Sequence, residues 1–259
     1  MKIGIVQSHI LWENKKSNIE KLNNIINRTY DKSIELLLLP EMSFTGFSMN
    51  TETTGEENQE TIAKVKKISK ANNLAIGFGW VKNKDSSENH YTVIDANGTL
   101  ISDYVKIHPF SYSDEDVYFD SGDSLSFFEL GGITFSTLIC YDLRFPELFR
   151  VASKKADVII VPANWPAKRN DHWETLLRAR AIENQVYVIG VNCVGSIGKV
   201  KYVGNSQVIA PDGEVLLIID GHDELVAIDL KNNVSDYRSA FPAYTDRKDE
   251  LYIRLMENR

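Results

Sequence analysis

The sequence predicts an α/β fold, and two observations carry that prediction. Short runs rich in Val, Ile and Leu alternate along the chain with longer polar stretches whose apolar residues recur at helical spacing, the pattern of sheets layered against helices. Turn signals at Ala96-Asn97-Gly98, Gly131-Gly132 and Pro211-Asp212-Gly213 fall between consecutive strand-like runs, so hairpins are expected beside crossovers. A sheet with both parallel and antiparallel neighbours follows. With no Gly/Ser/Pro-rich linker and no internal repeat, residues 1–259 read as one domain, with a polar C-terminal extension from about Tyr237.

The elements follow in order. KIGIVQS is a first strand, and a helix spans about residues 18–28, where Ile19, Leu22, Ile25 and Ile26 share one face. IELLLLP is a second, buried strand, and a second helix runs from about residue 57 to 71. LAIGFGWV, HYTVIDANGTLISDYVK and SLSFFELGGITFSTLIC supply several further strands. A helix opens near Pro146, because proline suits a first helical turn. The continuous apolar run DVIIVPA is a buried strand, a long helix passes through His172 to Glu183, and VYVIGVNC, VGNSQVIA and EVLLIID are strands.

Composition bounds the function. A chain of 259 residues with 43% hydrophobic and 25% charged residues buries an enzyme-sized core. The formal net charge of -7 is spread along the sequence, and no Lys/Arg stripe offers a track for a phosphate backbone, which argues against nucleic acid. MKIGIVQSHI lacks the long apolar core of a secretory signal, and SIELLLLPEM stops at Pro40 and Glu41, short of a membrane span. A soluble, cytoplasmic protein is expected. The two cysteines, Cys140 and Cys193, form no CxxC pair, so neither a disulfide framework nor a metal site is indicated.

Three strand ends carry chemistry. In FSTLICYDLRFPE, Cys140 follows an apolar strand and precedes a helix, so its sulfur can stand on a sharp turn with backbone N–H groups aimed at it. A buried, inert cysteine is the competing reading, and Cys193, at the end of VYVIGVNC, fits that one better. Glu41, after ELLLLP, is either a partly desolvated general base or a solvated loop acid. Lys106 ends ISDYVK, where an ammonium can lower a thiol pKa and face an oxyanion, or lie on the surface. Spacing alone leaves these alternatives open. His108 offers a competing Cys-His pairing, or lines the pocket beside Lys106, since residues two apart in an extended segment point the same way. The acidic run Asp114-Glu115-Asp116 lacks the glycine of a calcium loop and reads as one pocket acid flanked by two solvated ones.

Taken together, LLLLPEMSFTGF, YVKIHPF and LICYDLRFPE resemble the motifs of the nitrilase, or carbon-nitrogen hydrolase, superfamily, across nearly the whole chain. The resemblance implies a four-layer αββα sandwich, with Glu41 as general base, Cys140 as nucleophile and Lys106 as stabiliser of the tetrahedral intermediate. It makes Glu115 a second glutamate that orients Lys106 or substrate. VPANWPAKRNDHWETLLRARAIENQVYVIGVNCVG and FPAYTDRKDELY are similar to the ω-amidase branch, which acts on monoamides of dicarboxylic acids such as 2-oxoglutaramate or 2-oxosuccinamate. Arg144 is similar to an arginine that meets a substrate carboxylate in related carbamoylases, with a structural ion pair as its alternative. Trp165 walls the pocket or fills the core, and Tyr141 offers its backbone N–H to an oxyanion. Amide hydrolysis of this kind needs no cofactor, and the family suggests a homodimer. CYDLRFPE resembles the amidase side rather than nitrilases proper. An N-carbamoyl amidase is the enzymatic rival, and a catalytically idle binding or scaffold protein is the rival of another class.

Overall fold

The structure, a computed structural model, describes residues 1–29, 31–83, 86–197 and 199–257. Strand β1 (Lys2–Gln7) leads through helix α1 (Lys15–Thr29) into β2 (Leu36–Leu38). A single helical turn, α2 (Thr51–Thr54), the edge strand β3 (Gly55–Glu56) and helix α3 (Glu60–Asn72) precede β4 (Ala75–Lys82). The meander continues with β5 (Ser87–Ile94) and β6 (Leu100–Val105), then the short α4 (Glu115–Tyr118) and β7 (Phe119–Asp120). A second set opens with the hairpin β8 (Phe127–Leu130) and β9 (Ile133–Thr137), followed by α5 (Pro146–Ala152), β10 (Val158–Ala163), α6 (Asn170–Asn184) and β11 (Tyr187–Asn192). The hairpin β12 (Val194–Ile197) and β13 (Val200–Val203) projects before β14 (Ser206–Ile209), β15 (Val215–Ile219) and β16 (Glu224–Asp229). Helices α7 (Val234–Ala240) and α8 (Asp249–Glu257) follow.

Two mixed sheets result, ordered β16-β1-β2-β4-β5-β6 and β15-β14-β11-β10-β9-β8, with β3 and β7 paired at the margin of the first. Alternation along the strands explains the layers. Ile3, Ile5, Leu36, Leu38 and Ala75 join the core shared with the second sheet, whereas Leu37, Leu39 and Ile76 pack with Ile19, Leu22 and Ile26 of α1 and Ile62, Val65 and Ile68 of α3. On the far side, Phe149 of α5 and Trp173, Leu177 and Ala181 of α6 cover the second sheet. The α/β sandwich is therefore helix, sheet, sheet, helix.

Helix α6 sits directly on β11 because Gly190 has no side chain: a Cβ there would lie 2.5 Å from Leu177 Cδ1 and 2.7 Å from Trp173 Cζ2. Gly190→Val is expected to cost about 1–3 kcal/mol by overpacking. A fall in the urea midpoint at constant m checks this, and an unmoved midpoint refutes it.

Two departures from the sequence reading have local causes. Helix α3 starts later than expected because Glu56 is used twice, pairing with Lys82 on β4 and accepting hydrogen bonds from Thr61 N and Oγ1, both at 2.8 Å. The stretch from Tyr237, expected as a polar extension, is largely helical and tied to the fold. Gln185 Nε2 donates to Phe241 O at 2.8 Å, Tyr244 N donates to Gln185 Oε1 at 2.9 Å, and α8 exposes Ile253, Leu255 and Met256.

Strand direction positions the site. β2 and β4 are parallel, and β6 shares their direction because it is antiparallel to β5, itself antiparallel to β4. β9 and β10 are likewise parallel to one another. Glu41, Lys106, Cys140 and Asn164 all follow strands of these two sets, and it is at such carboxyl ends that α/β sheets build sites.

Candidate active site

Glu41 is placed by a tight loop pressed onto β4. Ser43 N donates to Gly79 O at 3.0 Å, Gly79 N donates to Ser43 Oγ at 2.8 Å, and Met42 takes a left-handed φ of 42°. A Cβ on Gly79 would fall 2.3 Å from Met42 N and 3.0 Å from Glu41 Cα, so only glycine admits this approach. The loop buries Glu41 completely. Its Oε1 accepts from Lys106 Nζ and Asn89 Nδ2, each at 2.9 Å, and its Oε2 accepts from Asn164 N at 2.9 Å. Asn164 Nδ2 also donates to the Glu41 carbonyl at 2.7 Å, so one asparagine fixes both ends of the residue.

Lys106 lies between two carboxylates. Its ammonium donates to Glu115 Oε2 at 2.8 Å and Oε1 at 3.1 Å as well as to Glu41. Asn89 Nδ2 bridges the same acids, reaching Glu115 Oε1 at 3.0 Å, and Phe110 N donates to Glu115 Oε2 at 2.6 Å. Burial alone would lower the Lys106 pKa, but Glu115 and Glu41 outweigh it and hold the ammonium well above its ordinary range. Glu115 is raised, by burial first and by Glu41 next, against the pull of Lys106. Its neighbours Asp114 and Asp116 are exposed.

Cys140 heads a 3-10 turn, Cys140–Arg144, with φ at 46°, the left-handed backbone of a sharp elbow. Buried Asp142 locks that elbow: its Oδ2 accepts from Ile139 N at 2.9 Å and Tyr104 Oη at 2.8 Å, and its Oδ1 from His108 N at 3.0 Å and Nδ1 at 2.9 Å. The Cys140 thiol feels Glu41, Lys106 and Glu115 together. Burial pushes its pKa well above the usual thiol value, Glu41 and Glu115 add to this, and Lys106 only partly opposes them. Lys106 does pull the thiol pKa down, as expected, but burial and the two carboxylates outweigh it. These surroundings favour the neutral thiol over the thiolate at Cys140.

Beside these groups lies a cavity of about 410 Å³ lined by Lys106, Cys140, Tyr141, Arg144, Asn164 and Trp165, among others. Its mouth adds Lys168, Arg169, Lys199 and Lys201, and among the described residues no Asp or Glu belongs to its lining. The Arg144 guanidinium stands 4.9 Å over the Trp165 ring and 6.0 Å from Tyr141. Trp165 serves core and pocket together, since it is buried, donates from N to Asn192 Oδ1 at 2.8 Å and still lines the cavity.

His108 is the sequence candidate that the structure places elsewhere. It stacks on Phe145 at 3.6 Å between centroids, is held by Asp142 and does not line the cavity. The same-side argument failed because β6 ends at Val105 and the chain bends after Lys106. Cys193 is buried behind the site, its thiol donating to Asn164 Oδ1 at 3.2 Å. Asn89, Asn164 and Asp142 were not singled out in the sequence. Asn164 carried a readable signal, a polar residue directly after a buried strand, as Glu41 did.

The carbon-nitrogen hydrolase family profile matches residues 2–238 of the chain. The 2-oxoglutaramate amidase of Bacillus subtilis is 35% identical over 257 residues, covering 96% of this chain and 98% of the relative. The omega-amidase YafV of Escherichia coli K12 is 33% identical, covering 95% and 96% respectively. In three dimensions, a CN-hydrolase superfamily protein of Xanthomonas campestris, crystallised with an arsenic adduct in its active site, superposes with a TM-score of 0.90 at 27% identity, over 96% of this chain and 97% of that one.

Proposed function

Because the chain belongs to the carbon-nitrogen hydrolase family and is an amide-hydrolysing enzyme, we propose that it cleaves the terminal carboxamide of a small dicarboxylate monoamide of the 2-oxoglutaramate or 2-oxosuccinamate type. One observation carries this reading: Cys140 and Lys106 open into a cavity whose other charged lining residues, among the described residues, are all cationic. The thiol supplies acyl chemistry, and the mouth suits a substrate that is anionic at its far end. The names of the two amidase relatives point the same way.

In the proposed mechanism, Glu41 takes the proton of Cys140 Sγ as the sulfur attacks the carboxamide carbon. The Lys106 ammonium and the Tyr141 N–H hold the oxyanion, and Glu115 keeps Lys106 in place. The C–N bond breaks, Glu41 returns the proton to the leaving nitrogen, and ammonia departs from a thioester. Water, deprotonated by Glu41, then attacks the acyl carbon. The C–S bond breaks, the thiol regains its proton and the acid leaves, with no metal or organic cofactor in the route. Arg144 and Trp165 shape the acyl side of the pocket. We place the reaction in the cytoplasm, where two unpaired cysteines stay reduced, and expect a homodimer.

Ammonia release from 2-oxoglutaramate, succinamate, glutamine, an N-carbamoyl amino acid and a simple nitrile tests this reading. Release is expected from the dicarboxylate monoamides and is expected to vanish in Cys140→Ala. Turnover of the carbamoyl compound would instead assign an N-carbamoyl amidase. Silence on every substrate, with Cys140 inert to alkylation, would make the chain an idle binding protein.

A further inference from the structure

The aromatic and cationic side chains of the cavity mouth form an ordered pair of shelves. Arg144 lies over Trp165, and Arg169 lies 5.2 Å from the Phe110 ring and 5.9 Å from Tyr112. Trp165 is common to both: its ring carries the Arg144 guanidinium, and its indole Nε1 donates to the Arg169 carbonyl at 2.8 Å. Arg169 N closes the same turn onto Pro166 O at 3.0 Å, and Pro166 bridges to Tyr202, another lining residue. The positions of the two arginines are therefore set by one buried ring.

Arginines that hold this fold together look different. Arg180 donates from Nε and Nη2 to Leu143 O and from Nη1 to Glu183 Oε1, and Arg150 donates to Glu183 O. Among the described residues, neither Arg144 nor Arg169 is paired with a carboxylate; Arg144 meets His172 Nδ1 at 3.2 Å, and the Arg169 guanidinium meets aromatic faces. Burial first, and the charge of Arg169 next, push Arg144 below the ordinary guanidinium range. Two guanidiniums sharing a cavity without an acid repel, and an incoming carboxylate relieves that repulsion while accepting their hydrogen bonds.

We propose that Arg169 is a specificity-determining residue, a second guanidinium that reads the substrate's distal carboxylate together with Arg144 across the Trp165 ring. The inference rests on the dicarboxylate monoamide reading. Stacking on Phe110 and Tyr112 pre-orients the fork, so that little side-chain freedom is lost on binding.

Steady-state kinetics of wild type, Arg169→Gln and Arg169→Lys on succinamate and on uncharged butyramide test it. Arg169→Gln is expected to raise KM for succinamate by about 10–100-fold, the range for losing a charge-assisted contact, with kcat changed far less. The succinamate-to-butyramide ratio of kcat/KM is expected to fall by about tenfold or more, and Arg169→Lys to recover part of it, because lysine restores charge but not the planar fork. Equal losses on both substrates would show a structural role and overturn the proposal, as would an unaltered ratio in Arg169→Gln. A wild type without preference for succinamate would overturn the substrate reading and this inference with it, whereas wild-type preference retained in Arg169→Gln overturns the inference alone.

Discussion

Glu41→Gln is expected to lower turnover by about 10²–10⁴-fold, the usual contribution of a general base, while making Cys140 easier to alkylate near neutral pH. The opposed directions follow from one cluster. In the proposed mechanism Glu41 accepts the thiol proton during attack, yet its charge is also a principal cause, after burial, of the raised Cys140 pKa. With a neutral amide in its place, Lys106 is opposed by Glu115 alone, so the thiol pKa falls and the thiolate fraction at a given pH rises. The iodoacetamide rate against pH should shift to lower pH in the variant. A profile shifted upward, or full turnover without the carboxylate, would remove Glu41 from the base role. A side effect is also expected: the Gln amide nitrogen would face the Asn164 N–H now bound by Oε2, and an unmatched donor pair costs about 1–3 kcal/mol, visible in the urea midpoint.

The parts legible in the sequence share a physical feature, which is that they are local. Buried strands announce themselves as apolar runs, and a charged or nucleophilic residue directly after one marks a strand end, which is how Glu41, Lys106 and Cys140 could be picked out. Motif resemblance added Glu115, whose burial between exposed Asp114 and Asp116 no periodicity announces. Asn89 was overlooked because its partners, Glu41 and Glu115, are 48 and 26 residues away and its own strand reads as ordinary β pattern. Asp142 was overlooked because its task, joining the elbow to Tyr104 and His108, exists only once the two sheets face each other. The net rise of the thiol pKa was illegible for the same reason: the sequence set one lysine beside Cys140, whose downward pull the fold outweighs with burial and two buried acids.

Lys106→Met should be the most damaging substitution of the cluster, costing stability and rate together. The lysine is the ammonium shared by two fully buried carboxylates, and removing one partner of such an assembly typically costs about 3–5 kcal/mol. Loss of an oxyanion donor adds about a 10²–10³-fold fall in kcat if Lys106 serves as proposed. The pH dependence gives the sharper check. Already in the native protein Glu115 is raised by burial and by Glu41, with Lys106 pulling it down. Without the ammonium, the folded-state carboxylate pKa rises further, so between the unfolded carboxylate value and the raised folded value the folded state binds more protons than the unfolded one. Stability is then lost as pH rises through that window. The deficit of Lys106→Met relative to wild type should accordingly be smallest in mild acid, near the unfolded carboxylate pKa, and grow toward neutrality. Urea midpoints measured across that range would show it, and a deficit that widened on acidification would mean that the two carboxylates are not held together by Lys106 in the way the geometry states.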